Sequence, residues 1–135
     1  MVYATANMNR RKQKRKSNIL AAALKVFASK GFHDTKIKDI AKKAKVGTGT
    51  IYLYYENKES LLINCFEEMI SDLLGKAQVK IAGTTDELKR IMKFIENHID
   101  YCMQNPNAAK LLIVELKQST EIYKRHPDYW PLKSY

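Results

Sequence analysis

Apolar residues recur at three- and four-residue spacing almost from end to end of this 135-residue chain, a period that suits helices and little else. Gly 5 and Pro 3 interrupt it rarely, and no alternating run of useful strand length occurs. With 45% hydrophobic content, the chain can form one compact domain, or a small module joined to part of a second. The expected fold is all-α.

Six helices follow from the pattern. Ser17 or Asn18 is placed to cap the first, with Ile19, Ala22, Ala23, Val26 and Phe27 on one face and Gly31 as the positive-φ residue that ends it. Thr35 is the expected cap of a short second helix, which turns Ile37, Ile40, Ala41 and Ala44 inward and Lys36, Lys38, Lys42 and Lys43 outward. After a tight break at Lys45-Val46-Gly47, a third helix runs from Thr48 to about Tyr55, anchored by Ile51 and Tyr55.

Asn57 caps a long fourth helix whose stripe includes Leu61, Leu62, Cys65, Met69 and Leu73 and extends to about Lys80. Thr84 and Glu87 have capping-box spacing for a fifth, with an expected inner face of Leu88, Ile91, Met92, Ile95, Ile99 and Cys102. Asn105-Pro106 ends it and opens a sixth, apolar nearly all round, which must be buried on most sides. The chain then runs out through Pro127-Asp128-Tyr129-Trp130-Pro131.

The net charge of +10 is unevenly placed. Residues 1–58 hold 14 Lys/Arg against three acids, a net of +11, whereas residues 59–135 are close to neutral. This asymmetry puts a polyanion-facing unit at the amino end and a near-neutral body behind it. Residues 1–16 read as a basic flexible arm, because the run Arg10 to Lys16 repels itself. Cys65 and Cys102 lie on apolar faces and read as small buried hydrophobes, which fits a reducing cytoplasm. The apolar stretch Ile19 to Leu24 is too short for a transmembrane span or a signal peptide.

Residues 36–55 have the plan of a helix-turn-helix: a supporting helix, a tight turn and a second helix with side chains free for a major groove. Ile40, Ala41, Val46 and Ile51 fix the crossing, while small Gly49 and Thr50 allow close approach to phosphates. Thr48, Thr50, Tyr52, Leu53 and Tyr54 are left to face double-stranded DNA, Lys36 adds charge, and Lys58 is expected on a phosphate beside the start of helix four. The domain reading is therefore an arm over 1–16, a DNA-binding helix-turn-helix over 17–58 and a partial helical regulatory and dimerisation domain over 59–135.

Across about Asn18 to Leu62 the chain resembles the TetR-type repressors. The likeness rests on Ile19, Ala22-Ala23, Phe27, Gly31-Phe32, Thr35, Ile40-Ala41, Ala44, Val46, Gly49-Thr50-Ile51-Tyr52, Tyr54-Tyr55, Lys58-Glu59 and Leu61-Leu62. Two positions depart from the family pattern: Lys45 stands where Gly is usual, and Gly47 where Ser or a similar cap is usual. The resemblance implies a homodimer, a palindromic operator, and a ligand-binding core beyond helix four that alters the spacing of the reading heads. It also implies that Thr50 and Tyr52 position the backbone, that Tyr54 contacts phosphate or base, that Lys58 contacts phosphate, and that Thr48 and Leu53 tune sequence choice. Asn105-Pro106 through Glu115-Leu116-Lys117-Gln118-Ser119 looks like the acyl-CoA-responsive fatty-acid-degradation subgroup, which implies a hydrophobic effector such as an acyl-CoA. The family's carboxyl-terminal bundle helices have no counterpart here, so the chain reads as either a fragment or a shortened gene product, with exposed apolar surface on helices four to six.

Other chemistries find little support. His98 and Cys102 lie four apart on a helix, but two ligands do not make a zinc site. Gly47-Thr48-Gly49-Thr50 lacks the lysine and preceding strand of a phosphate-binding loop, and no serine sits in a nucleophile elbow. No enzyme activity, metal or cofactor is expected. A peripheral membrane protein or a helical interaction protein is the alternative, but the basic residues precede the first apolar face rather than lining its opposite side.

Overall fold

The structure, a computed structural model, describes residues 2–116 and residue 124. The expectations placed on Lys117-Gln118-Ser119 and on Pro127 to Pro131 lie outside the described residues. Every regular element among those described is a helix: α1 (Val2–Lys30), α2 (Ile37–Ala44), α3 (Thr48–Tyr52), α4 (Lys58–Ile81), α5 (Glu87–Gln104) and α6 (Pro106–Leu116). The chain divides into two compact units, Met1–Cys65 and Phe66–Tyr135.

In the first unit, Ile19, Ala23, Phe27, Ile40, Ile51, Leu61 and Leu62 are sealed from solvent, and Tyr55 and Cys65 close the edges. Burial of each large side chain contributes about 1.5–3 kcal/mol, which holds even the five-residue α3 in place although so short a helix would not persist alone. Gly31 ends α1 at φ +79, its N–H donating to the Phe27 carbonyl at 2.8 Å.

The amino-terminal arm is helical rather than irregular, so α1 begins at Val2 and neither Ser17 nor Asn18 caps it. Ala, Met, Arg, Lys and Gln dominate residues 6–16, and their helix propensity carries the ladder on from the packed turns despite the like charges. Asn18 instead donates from Nδ2 to the Ala44 carbonyl at 3.0 Å, tying α1 to the end of α2. Thr35 is also not a cap. It is buried, and its hydroxyl donates to the Gly31 carbonyl at 2.6 Å, leaving Lys36 at the N-cap.

In the second unit, Met69, Leu73, Ala77, Tyr101, Ala108 and Leu111 are buried. Two expectations change here. Asp86, not Thr84, caps α5 by accepting from the Lys89 N–H at 2.8 Å, while Thr84 accepts from Lys93 Nζ. The inward face of α5 carries Asn97 and Tyr101, whereas Leu88, Ile91, Met92, Ile95 and Ile99 are exposed and Cys102 is half-buried. The Asn97 amide finds the Leu73 carbonyl at 3.1 Å, so its burial leaves no donor stranded. The apolar stripe has no cover among the described residues. Asn105 and Pro106 do separate α5 from α6, but the Asn105 amide donates back to the Tyr101 carbonyl rather than capping α6, and Ile113 on α6 is exposed.

Candidate nucleic-acid interface

The geometry of α3 is set by the turn before it. The Val46 N–H reaches the Ala41 carbonyl at 3.0 Å and the Lys45 N–H reaches that of Lys42 at 3.3 Å, the two bonds of a Schellman ending. Lys45 occupies the left-handed region at φ 56 and ψ 43, so the chain bends here without glycine. Gly47 follows as the extended N-cap of α3.

Buried Ile51 and Tyr55 then decide which side of α3 faces out. Thr48 and Gly49 are exposed, Thr50 and Tyr54 are half-buried, and Tyr52 and Leu53 project with exposures of 55% and 80%. An added Cβ at Gly49 would meet nothing within 4 Å, so the chain's own packing does not require glycine there. Leu53 lies just past the helix, its N–H on the Gly49 carbonyl at 3.2 Å, and the Tyr54 N–H reaches the Ile51 carbonyl at 3.0 Å. Apolar Leu53 is thus held in water by a fixed backbone.

Lys36 is exposed at the start of α2, and its N–H donates to Asp39 Oδ2 at 3.1 Å. Lys30 reaches the same carboxylate at 3.1 Å, and these two donors hold the Asp39 carboxyl below its ordinary range. Lys58, at the start of α4, is half-buried. Its ammonium donates to the carbonyls of Phe32, His33 and Thr35, which uses all three of its protons inside the chain. Asn57 does cap α4, its Oδ1 accepting from the Ser60 N–H at 2.7 Å.

Sequence reasoning took the arm for a flexible element that follows the DNA backbone or minor groove, and missed that it is helical. Because α1 is continuous, Met8, Arg11, Lys12 and Arg15 fall on one helix face, and together with Asn9 and Tyr54 they line a single groove. Lys16 lies 6.0 Å from the centre of the Tyr55 ring. The spacing of Met8, Arg11, Lys12 and Arg15 was the available signal, masked by the assumption that a run of like charge does not stay helical.

Residues 19–65 match the family model described as bacterial regulatory proteins, tetR family. The amino-terminal unit is a tetR-family domain. Its relatives are transcription regulators, not enzymes. The chain is 34% identical over 110 residues to the fatty acid metabolism regulator protein of Bacillus subtilis, covering 80% of this chain and 57% of that protein. It is 31% identical to the transcriptional repressor NicS of Pseudomonas putida, covering 74% of this chain and 47% of that one. Among solved structures it is similar to the transcriptional regulator FadR of B. subtilis in complex with stearoyl-CoA, with a TM-score of 0.73, 33% identity, and coverage of 76% of this chain and 55% of that one. The chain thus spans about half the length of these tetR-family relatives. Among the described residues, no helix is long and apolar enough to cross a membrane.

Proposed function

We propose that this chain is the DNA-reading part of a cytoplasmic, ligand-responsive transcriptional repressor that acts as a homodimer on a palindromic operator. The observation that carries the reading is the outward projection of Tyr52 and Leu53 from a short helix whose opposite side is locked by Ile51 and Tyr55. A major groove about 12 Å wide admits such a helix, and exposed apolar and hydroxyl side chains at its tip suit thymine methyls and base edges. Thr48 and Leu53 set sequence choice, Thr50, Tyr52 and Tyr54 fix the register on the backbone, and Gly49 permits close approach. Lys36 adds charge at the flank. Lys58 serves by holding the α1–α2 loop rather than by meeting a phosphate itself.

The effector is an acyl-CoA or a comparable hydrophobic ligand. Support comes from the similarity to the B. subtilis regulator solved in complex with stearoyl-CoA. A ligand regulates only by favouring one arrangement of the reading heads over another, so repression follows if the unliganded arrangement matches the operator.

Selection of preferred duplexes from random DNA, with oligomeric state measured in the same buffer, tests the reading. A dimer that enriches an inverted repeat with half-sites roughly 34–36 Å apart is expected, as is weaker binding when stearoyl-CoA is added. A monomer without sequence preference, or tighter binding to anionic vesicles than to any duplex, contradicts it.

A further inference from the structure

Leu88, Ile91, Met92, Ile95, Ile99 and Met103 are each more than half exposed along α5, a contiguous apolar stripe of the kind that marks an interaction surface. The other side of the helix holds it to its own unit. There Asn97 donates to the Leu73 carbonyl, Tyr101 is buried, Lys93 reaches the Thr84 hydroxyl at 2.8 Å and Asp100 accepts from Lys80 at 2.9 Å. The spacing of the open side says what fits it. Leu88, Met92, Ile95 and Ile99 are separated by four, three and four residues, and Cys102 follows at three, the alternation of a heptad seam. Such a seam takes a helix with the same alternation, because each knob needs a hole opposite.

We infer that this stripe is the contact between two copies of the chain, their α5 helices paired antiparallel about a two-fold axis between Lys93 and Phe94. The inference rests on the homodimer proposed above and names its contact surface. In this register Met92 meets Ile95 of the second copy and Leu88 meets Ile99, and the two-fold forms each layer twice. Beside the layers, exposed Lys89 comes opposite exposed Glu96 of the second copy, again twice. Lys80 approaches only Oε2 of Glu96, at 3.6 Å, so the carboxylate has an oxygen to offer.

Charge selects this arrangement over its neighbours. Sliding the pair by one heptad sets the two Glu96 carboxylates side by side, and a parallel pairing sets Glu96 against Ile91. Only the antiparallel register centred between Lys93 and Phe94 brings opposite charges together at both flanks. Residues 59–135 are close to neutral, so two copies meet here without the repulsion that the +11 of residues 1–58 would impose. A contact of this kind uses the same patch on both copies and closes at the dimer.

The test is sedimentation equilibrium of the full 135-residue chain at low salt, without DNA, over a wide concentration range. It compares wild type, I95K, K89E, E96K and an equimolar mixture of the last two. All three positions are exposed, so the variants keep the fold, which circular dichroism checks. Wild type is expected to form a dimer that dissociates on dilution. I95K should weaken it on the order of a hundredfold or more, since a lysine would enter the apolar layers of each copy. K89E and E96K should each weaken it about tenfold, because like charges then meet at both flanks. Their mixture should recover wild-type affinity, because the mixed dimer restores opposite charges at both flanks. A wild-type monomer throughout the range overturns the seam and the homodimer together. A dimer that I95K leaves intact overturns the seam alone. A mixture that associates no more tightly than its components overturns the antiparallel register, and the inference with it.

Discussion

Lys58 Nζ donates to the Phe32 carbonyl at 2.6 Å and stands 4.4 Å from the centre of the Phe32 ring, so one ammonium both closes the α1–α2 loop and covers the aromatic face beneath it. The His33 and Thr35 carbonyls accept its other two protons. A lysine engaged in this way stabilises the loop that sets the start of α2, and through it the pitch of the helix-turn-helix.

Lys58→Ala strands three carbonyls and removes the cation from the ring. Hydrogen bonds to charged groups contribute about 1.5–3 kcal/mol in favourable cases, and partial exposure places the expected loss near the lower end. Thermal or urea unfolding measures it. The salt slope of DNA binding should be unchanged at temperatures where the variant is folded, whereas a direct phosphate contact would lower it by about 1 per chain.

Lys45 at φ 56 stores strain in the turn before α3. Lys45→Gly relieves the Cβ conflict but adds unfolded-state entropy, so a net gain of up to about 1 kcal/mol is expected. A β-branched residue there, as in Lys45→Val, should cost more than lysine does. Melting temperatures of the two variants, moving in opposite directions from wild type, check this.

Gly49 separates stability from function. Alanine meets nothing in the chain and raises helix propensity, so Gly49→Ala should stabilise by roughly 0.5–1 kcal/mol. The same methyl would stand between the backbone and a phosphate, so DNA affinity should fall while the melting temperature rises. Unchanged affinity would remove Gly49 from the interface.

Asp39 makes stability depend on acid. The Lys30 ammonium, then the Lys36 N–H, lower its carboxyl from the ordinary 3.8. The unfolded chain takes up this proton first as pH falls, so the contribution is present above pH 3.8 and lost as pH drops through the depressed folded value. Asp39→Asn should therefore be less stable than wild type near neutrality, with the gap closing below about pH 4. Denaturant midpoints measured across that range read it directly.

The parts of this fold that were legible in the sequence are those governed by local chemistry. Gly31 needed a positive φ, Asn57 had a free N–H to cap, Pro106 suited a first helical turn, and Ile51 and Tyr55 could meet the core only together. Errors arose where tertiary context chose between equally plausible local options. Thr35 has the composition of a cap, yet burial turned its hydroxyl back to Gly31. Periodicity grouped Leu88, Ile91, Met92 and Ile95 correctly on one face of α5, but it does not reveal which face finds a neighbour, and Asn97 and Tyr101 took the buried side. For the candidate site, the exposed tip of α3 was readable from the spacing of its anchors. The position of Arg11, Lys12 and Arg15 was not, because it depends on α1 continuing past the packed region.

The proposed reading of base sequence by the tip of α3 has a direct measurement. It is tested most directly by the ratio of affinities for a selected operator and a scrambled duplex, measured at one salt concentration for wild type, Leu53→Ala and Thr48→Ala. A ratio of about 10³ or more is expected for wild type, and a fall equivalent to about 1–3 kcal/mol for each variant, with binding to the scrambled duplex nearly unchanged. A ratio that both variants leave intact would contradict it.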